Sequence, residues 1–112
     1  MEKLAVVKVF DFETGQERIT LTGHRDYVKS VTYSPDGRRI LTVSNDETAK
    51  LWDAESGRER LNFDLHSKYA RAGFLLHGRC IVTSSWEDGT RFYDAATPEQ
   101  VATWETDSQA QR

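Results

Sequence analysis

The sequence predicts an all-β fold built from repeated units of short antiparallel strands, and two observations predict it. The segment KLWDAESGRERL (residues 50–61) is a near-copy of KVFDFETGQERI (residues 8–19), which lies 42 positions earlier. Elsewhere, apolar and polar residues alternate over short stretches bounded by turn sequences, and no segment keeps an apolar stripe at helical spacing across ten residues. A fixed period of this length indicates one structural unit that the chain uses more than once.

The composition is that of a soluble globular protein. Of the 112 residues, 38% are hydrophobic and 29% are charged, and no apolar run approaches the roughly 20 residues that a membrane-spanning helix needs. The net charge of −3 disfavours nucleic acid as a partner, because nucleic-acid-binding surfaces are usually basic. The single cysteine, Cys80, excludes an internal disulfide and favours a reducing compartment. We therefore expect a cytoplasmic protein that binds neither membranes nor nucleic acid.

The repeat extends over nearly the whole chain. At the offset of 42, His24 aligns with His66 and Tyr27 with Tyr69, and after a one-residue deletion near the SPDGRR turn the offset becomes 41. Three pairs of an aromatic residue followed by aspartate then fall in register: Phe10-Asp11, Trp52-Asp53 and Tyr93-Asp94. The repeat is the strongest signal in the sequence.

The middle unit is predicted to form four strands joined by short turns. Pro35 and the Asp-Gly pair of SPDGRR supply the backbone conformations of a tight turn. The predicted strands are YVKSVTY (27–33), RILTVS (39–44), TAKLWD (48–53) and ERLNF (59–63). Four strands in every 41–42 residues are typical of a β-propeller blade.

The middle unit closely resembles a WD40 repeat. Its Gly-His and Trp-Asp pairs, at 23–24 and 52–53, have 27 residues between them, and an SPDG turn and an Asp-x-Thr sequence lie in that interval. In the next unit Leu65-His66 and Tyr93-Asp94 replace the two pairs, so the match is weaker. The resemblance implies about two and a half repeats: the last two strands of one blade (4–22), a full repeat (23–63) and a degenerate repeat (64–105), before a polar tail (106–112).

These units are too few to close a propeller, which usually has 4–8 blades. Two full blades plus a half-blade at the N-terminus would leave sheet edges and apolar faces uncovered. We expect the chain to be the C-terminal piece of a larger propeller, with the remaining blades in cis. Self-association of several copies into a ring is the alternative.

A polar constellation in the middle unit has two interpretations. His24, Ser44 and Asp46 are the residue types of a hydrolase triad, but the sequence has no G-x-S-x-G nucleophile motif, so no catalytic residue is predicted. The resemblance implies instead a structural hydrogen-bond network that ties non-adjacent strands of a blade together, with Ser44 or Thr42 as its hydroxyl. A buried indole and imidazole need such partners. The predicted members are His24, Thr42, Ser44, Asp46 and Trp52.

No metal or cofactor site is predicted. His66, His77 and Cys80 are spaced H-x10-H-x2-C, which fits no standard zinc pattern, and the sequence has no phosphate-binding or dinucleotide-binding motif. We expect His77 in a solvated turn and Cys80 to be an inert thiol.

The aromatic residues separate packing positions from candidate binding positions. Two sets are equivalent by register and are expected to pack: Phe10, Trp52 and Tyr93 form one set, and Leu21, Phe63 and Trp104 the other. Trp86 instead aligns with Asn45, a turn residue. In WD40 propellers, the resemblance implies, positions near the start of each first strand line the narrower face, where partners bind. The candidate partner-binding residues are Tyr27, Lys29, Asn45, Tyr69, Arg71 and Trp86.

The leading functional hypothesis is a WD40-type scaffold that binds other proteins or peptides and catalyses no reaction. The alternative is an accessory regulatory domain of a multidomain signalling protein or enzyme whose catalytic part lies upstream. A hydrolase built on His24 and Ser44 is the least supported hypothesis.

Overall fold

A computed structural model describes residues 5–87 and 89–94. The strands in this part of the chain are β1 (Ala5–Phe10), β2 (Glu17–His24), β3 (Val28–Tyr33), β4 (Arg39–Ser44), β5 (Thr48–Asp53), β6 (Glu59–Asp64), β7 (Arg71–Leu75), β8 (Cys80–Ser85) and β9 (Gly89–Asp94). A short 3-10 turn, Leu76–Gly78, joins β7 to β8.

The strands form three antiparallel sheets, each a simple meander. The first sheet contains β1 and β2, the second contains β3 to β6, and the third contains β7 to β9. The predicted all-β, antiparallel and open architecture of incomplete propeller blades is confirmed. The predicted packing position Trp104, the end of the degenerate repeat and the polar tail fall within residues 95–112, outside the described residues.

The near-copied segments form the same turn in successive sheets. Asp53 Oδ1 accepts hydrogen bonds from the backbone N–H groups of Glu55 and Ser56 at 2.9 and 3.0 Å, and the Gly57 N–H bonds the Asp53 carbonyl at 2.8 Å. Gly57 has a φ of +76°, a conformation in which glycine avoids steric strain. Asp11 makes the same pair of carboxylate bonds at the same distances in the β1–β2 turn. The repeated segment is therefore a strand, a turn and a strand held by its aspartate.

The second sheet lies between the other two, so its central strands are buried on both faces. Side chains of β4 and β5 alternate between these faces, because successive residues of a strand point in opposite directions. Ile40 and Trp52, a cross-strand pair, pack with Leu21 against the first sheet. The opposite face packs against the third sheet through Leu41, Val43, Ala49, Leu51, Phe63, Leu65, Ala70 and Ile81.

The outward faces of the stack are partly apolar. Phe10 is 57% exposed and Val6 is 46% exposed on the first sheet, and Phe92 is 64% exposed on the third. The expectation that Phe10 packs like Trp52 is therefore wrong. Trp52 lies between two sheets, whereas no sheet of the described residues covers the face that contains Phe10. Tyr93 does pack, with its ring centroid 4.5 Å from that of Phe63.

Candidate functional site

A buried chain of hydrogen bonds joins the first sheet to the second. Trp52 Nε1–H donates to Thr42 Oγ1 at 2.8 Å, and Thr42 Oγ1 lies 2.5 Å from His24 Nε2. On the other side of the imidazole, His24 Nδ1 lies 3.0 Å from Asp46 Oδ2. His24, Thr42 and Trp52 are each 2% exposed or less. The arrangement leaves none of these polar atoms without a partner, as burial requires.

The acceptor at Asp46 defines the state of the imidazole. Because the ionised Asp46 carboxylate can only accept, His24 Nδ1 carries a hydrogen and donates it to Asp46. Nε2 of the neutral ring then accepts from the Thr42 hydroxyl, which itself accepts from the indole N–H. This is the neutral imidazole, and burial lowers the pKa of His24 below its usual 6.5, against the raising effect of Asp46.

Asp46 is the anionic end of the network. Burial would raise the pKa of its carboxyl, but hydrogen bonds from Thr48, the Arg25 backbone and His24 lower it to about 2. Its Oδ2 accepts from the Arg25 N–H at 2.9 Å, and its Oδ1 accepts from both the backbone N–H and the hydroxyl of Thr48 at 2.9 and 2.5 Å. Thr48 also belongs to the network, although it was not among the predicted members. The Asp-x-Thr sequence at 46–48 was the signal that could have identified it.

The network joins neighbouring sheets, which corrects the prediction that it ties non-adjacent strands of one blade. His24 ends β2 in the first sheet, whereas Thr42 and Trp52 belong to adjacent strands of the second sheet. Gly23 allows this approach: a Cβ there would lie 3.2 Å from Glu59 Oε1 and 3.3 Å from Trp52 Cη2. In the Gly-His pair, Gly23 thus allows the two sheets to approach closely, and His24 supplies the hydrogen-bonding side chain.

Ser44 has a different role from Thr42. Its Oγ lies 3.0 Å from the carbonyl oxygens of both Asp26 and Tyr27, and it accepts the Asp46 N–H at 3.0 Å. Thr42, not Ser44, is the hydroxyl between the indole and the imidazole. Ser44 instead holds the loop that precedes β3 in place through its bonds to the Asp26 and Tyr27 carbonyls. Because its Oγ is buried and bonded to backbone groups, the geometry of a serine nucleophile activated by His24 is not formed.

The network is complete in the middle unit alone among the described residues. In the next unit Thr83 is buried at the position equivalent to Thr42, but His66 is exposed and lies 3.4 Å from Asp64. Tyr93 replaces the tryptophan and packs on Phe63.

The histidines and cysteine outside the network do not form a metal site. Within residues 5–87 and 89–94, no group of three or more His, Cys, Asp or Glu side chains could hold a metal ion. His77 lies in the Leu76–Gly78 turn with a φ of +56°. Cys80 is a free thiol at the start of β8.

The partner-binding candidates lie at one end of the second and third sheets. Tyr27 precedes β3 and Asn45 follows β4, and the Asn45 N–H bonds the Tyr27 carbonyl at 2.8 Å. Tyr69 precedes β7 and Trp86 follows β8 in the same way. The antiparallel pairings Val28↔Ser44 and Arg71↔Ser84 bring the ends of each hairpin together. Tyr27, Tyr69 and Trp86 are 71%, 82% and 95% exposed.

A groove of about 520 Å³ runs between β3 and β7 at this end. Three of the candidates, Lys29, Tyr69 and Arg71, line it. Sequence reasoning missed the rest of its lining, since small and aliphatic residues give no functional signal: Ser30, Val43, Ala70 and Ala72. Tyr27, Asn45 and Trp86 lie outside that lining.

The fold and this network define a class, the repeat proteins built from four-stranded propeller blades. The family model for WD40 (WD domain, G-beta repeat) matches residues 15–53, which run from the β1–β2 turn to the end of β5. Residues 15–53 therefore form a WD40 repeat, and the relatives of the chain are WD-repeat proteins.

Comparison with curated proteins gives the same family. Protein tipD of Dictyostelium discoideum is 35% identical over 88 residues, which are 79% of this chain and 14% of that protein. Human coronin-7 is 31% identical over 84 residues, 72% of this chain and 9% of coronin-7. Small ribosomal subunit protein RACK1y of Oryza sativa subsp. japonica is 30% identical over 102 residues, 91% of this chain and 27% of that protein. The chain thus matches about a quarter or less of each relative.

Solved structures agree on the fold. The Cps50 (Swd1) β-propeller domain of Myceliophteria thermophila superposes with a TM-score of 0.67 at 23% identity, covering 83% of this chain and 29% of that one. The computationally designed Ika8 protein gives a TM-score of 0.65 at 23% identity, covering 78% of this chain and 26% of that one.

No helix in the described part of this chain is long and apolar enough to cross a membrane.

Proposed function

We propose that this chain is a non-catalytic interaction module that binds a protein or peptide at the end of the second and third sheets where the β3–β7 groove opens. The observation behind the proposal is the combination of exposed aromatic side chains with a groove between two rigid strands. Tyrosine, tryptophan and arginine dominate binding hot spots, and a site on well-packed strands loses little conformational entropy on binding. We call this end the aromatic end.

The polar constellation supports a scaffold over an enzyme. His24 and Thr42 are fully buried and spend their hydrogen-bonding capacity on Trp52 and Asp46. Such a network holds sheets together and offers no group to a substrate. The WD40 fold class is in general a protein-interaction scaffold, and one relative, RACK1y, is by name a protein of the small ribosomal subunit.

We further propose that the described blades form part of a larger propeller. The relatives are several times longer than the matched segment, and exposed Phe10 and Phe92 are suitable for packing against further blades. A role as an accessory domain beside a catalytic domain would use the same aromatic end. A cytoplasmic location is consistent with the free thiol of Cys80.

Selection from a random peptide display library on the full chain tests the binding function. We expect selected peptides to lose affinity when Tyr27, Tyr69 or Trp86 is changed to alanine. Phe12→Ala is the matched control, since Phe12 is fully exposed in the β1–β2 turn at the opposite end of the sheets. Loss of affinity should be at least about tenfold for a true hot spot and negligible for the control.

Two results would count against the proposal. Selected peptides that bind all four variants equally would show that the aromatic end is not the site. Failure to select any specific peptide, with the chain shown by circular dichroism to be folded, would argue against a peptide-binding module.

A further inference from the structure

The β3–β7 groove is positively charged, whereas the chain as a whole is negatively charged. The chain has a net charge of −3, yet the groove lining contains Lys29 and Arg71 and no carboxylate. Neither cation has a carboxylate within salt-bridge distance among the described residues. Both cations are exposed, so they are accessible to a ligand of opposite charge. The site is locally basic on an acidic protein.

The two cations are held on opposite walls of the groove. Lys29 lies on β3, and its Nζ donates a hydrogen bond to the backbone carbonyl of Lys68 in the segment before β7. This bond directs the ammonium group across the groove. Arg71 is the first residue of β7, and its strand pairs with β8 at Ser84. Lys29 is thus placed by its bond to the Lys68 carbonyl, and the backbone of Arg71 by its pairing with Ser84.

Between these walls, the floor of the groove is formed by apolar residues. Val43 and Ala70 are buried beneath the opening, and Ala72 is partly buried. Tyr69 stands at the mouth with an 82% exposed side chain, and the Ser67 hydroxyl accepts its backbone N–H at 3.0 Å. The volume of about 520 Å³ is within the range of ligand-binding clefts and too small for a folded partner.

We propose that the β3–β7 groove binds an extended acidic peptide segment whose side-chain carboxylates contact Lys29 and Arg71. This inference deepens the proposed function, on which it rests, by naming the chemical class of the partner. Arg71 can engage a carboxylate through two parallel N–H bonds, and Lys29 supplies a point charge. Tyr69 packs on the backbone or an apolar side chain of the segment. A peptide of low charge would leave both cations without a counter-ion.

Fluorescence anisotropy with a labelled hexaglutamate peptide tests the proposal on the full chain. Hexaglutamine and hexalysine serve as probes of the same length without negative charge. We expect hexaglutamate to bind best and to weaken as sodium chloride rises from about 50 to about 500 mM, since salt screens exposed charges. The double variant Lys29→Glu/Arg71→Glu should lose at least about tenfold in affinity.

The matched control is Arg58→Glu/Arg60→Glu. It changes the net charge by the same amount, but these residues lie at and beside the start of β6, on the edge of the second sheet opposite β3. Its affinity for hexaglutamate should stay within about twofold of wild type, apart from the general effect of net charge. Circular dichroism melting of both variants verifies that they are folded.

Three outcomes would overturn the proposal. One is equal loss of hexaglutamate binding in the two double variants. Another is binding of hexaglutamine or hexalysine as tight as that of hexaglutamate. The third is an oligouridylate that binds more tightly than hexaglutamate through Lys29 and Arg71, which would assign the groove to nucleic acid.

These results are separable from the test of the proposed function. If displayed peptides depend on Tyr69 and Trp86 but contain no acidic residues, the interaction module stands and the acidic partner is wrong. If displayed peptides depend on none of Tyr27, Tyr69 and Trp86, the proposed function itself fails.

Discussion

Replacing Thr42 with valine tests the buried network at its centre. The substitution keeps the β-branched shape and volume, so it creates no cavity, but it removes the hydroxyl that serves both Trp52 and His24. Trp52 Nε1–H loses its acceptor at 2.8 Å and His24 Nε2 loses its donor at 2.5 Å, in a site that is 0% exposed at Thr42. A buried polar group left unsatisfied costs about 1–3 kcal/mol, so the expected loss is about 2–5 kcal/mol. A small domain has only about 5–15 kcal/mol of stability in total.

Urea denaturation followed by far-ultraviolet circular dichroism measures this loss without relying on Trp52 fluorescence. Thr42→Ser keeps the hydroxyl and should cost about 1 kcal/mol for the lost methyl group. Thr32→Val is the matched control, since Thr32 is exposed on β3 of the same sheet, and its effect should be within about 0.5 kcal/mol. A Thr42→Val protein that unfolds within about 0.5 kcal/mol of wild type would refute the reasoning, because the network would then contribute no stability.

Three further predictions concern the same sheets. Stability should rise with pH, because the pKa of His24 is lowered from 6.5 and that of Asp46 from 3.8 to about 2, so the unfolded chain binds protons first as the pH falls. The Asp46 contribution is present above about pH 4 and disappears as the pH approaches 2, and at about 1.4 kcal/mol per pKa unit it is about 2 kcal/mol, measurable by urea denaturation across pH. Gly23→Ala should destabilise the chain by about 1–3 kcal/mol in the same assay, because its Cβ would lie 3.2–3.3 Å from Glu59 and Trp52 atoms in a packed interface. Trp86→Ala should leave stability within about 0.5 kcal/mol while weakening peptide binding, since Trp86 is 95% exposed.

Each of these predictions has a contrary result. Nitrogen-15 spectra in which His24 titrates above pH 6.5 would contradict the lowered pKa of its imidazole. Unchanged stability of Gly23→Ala would mean that the first sheet can move away from Trp52 at no cost. A large stability loss in Trp86→Ala would show that its indole packs in the folded protein.

The fold was accessible from the sequence because its local signals agree. The SPDG turn, the two near-copied Asp-containing turns and the alternation in YVKSVTY are all typical of hairpins, and a period of 41–42 residues indicates that the hairpins recur as one unit. Residue identity also indicated the network, since a buried indole and imidazole need partners.

Contacts between sheets were harder to predict from the sequence than contacts within a sheet. The choice of Thr42 over Ser44 depends on strand register, since residues two apart on β4 share a face but lie at different positions along the strand. The exposure of Phe10 could not be read from its alignment with Trp52, because equivalent register gives equivalent burial only where a neighbouring sheet is present. The lining of the groove could not be predicted either. Ala70 and Ala72 shape it because their side chains are small, and small apolar residues carry no functional signal in a sequence.

The sequence repeat and the sheet have different boundaries, and His24 at the end of β2 belongs to the repeat but not to the second sheet. The matched repeat spans 15–53, whereas the second sheet spans 28–64, so the second sheet depends on a residue contributed by the strand before it. A transplant that exchanged only the second sheet would leave His24 behind and import a threonine and tryptophan without their partner. Amide hydrogen exchange should accordingly find β2 opening together with β4 and β5, as one cooperative segment, and not with β1 alone.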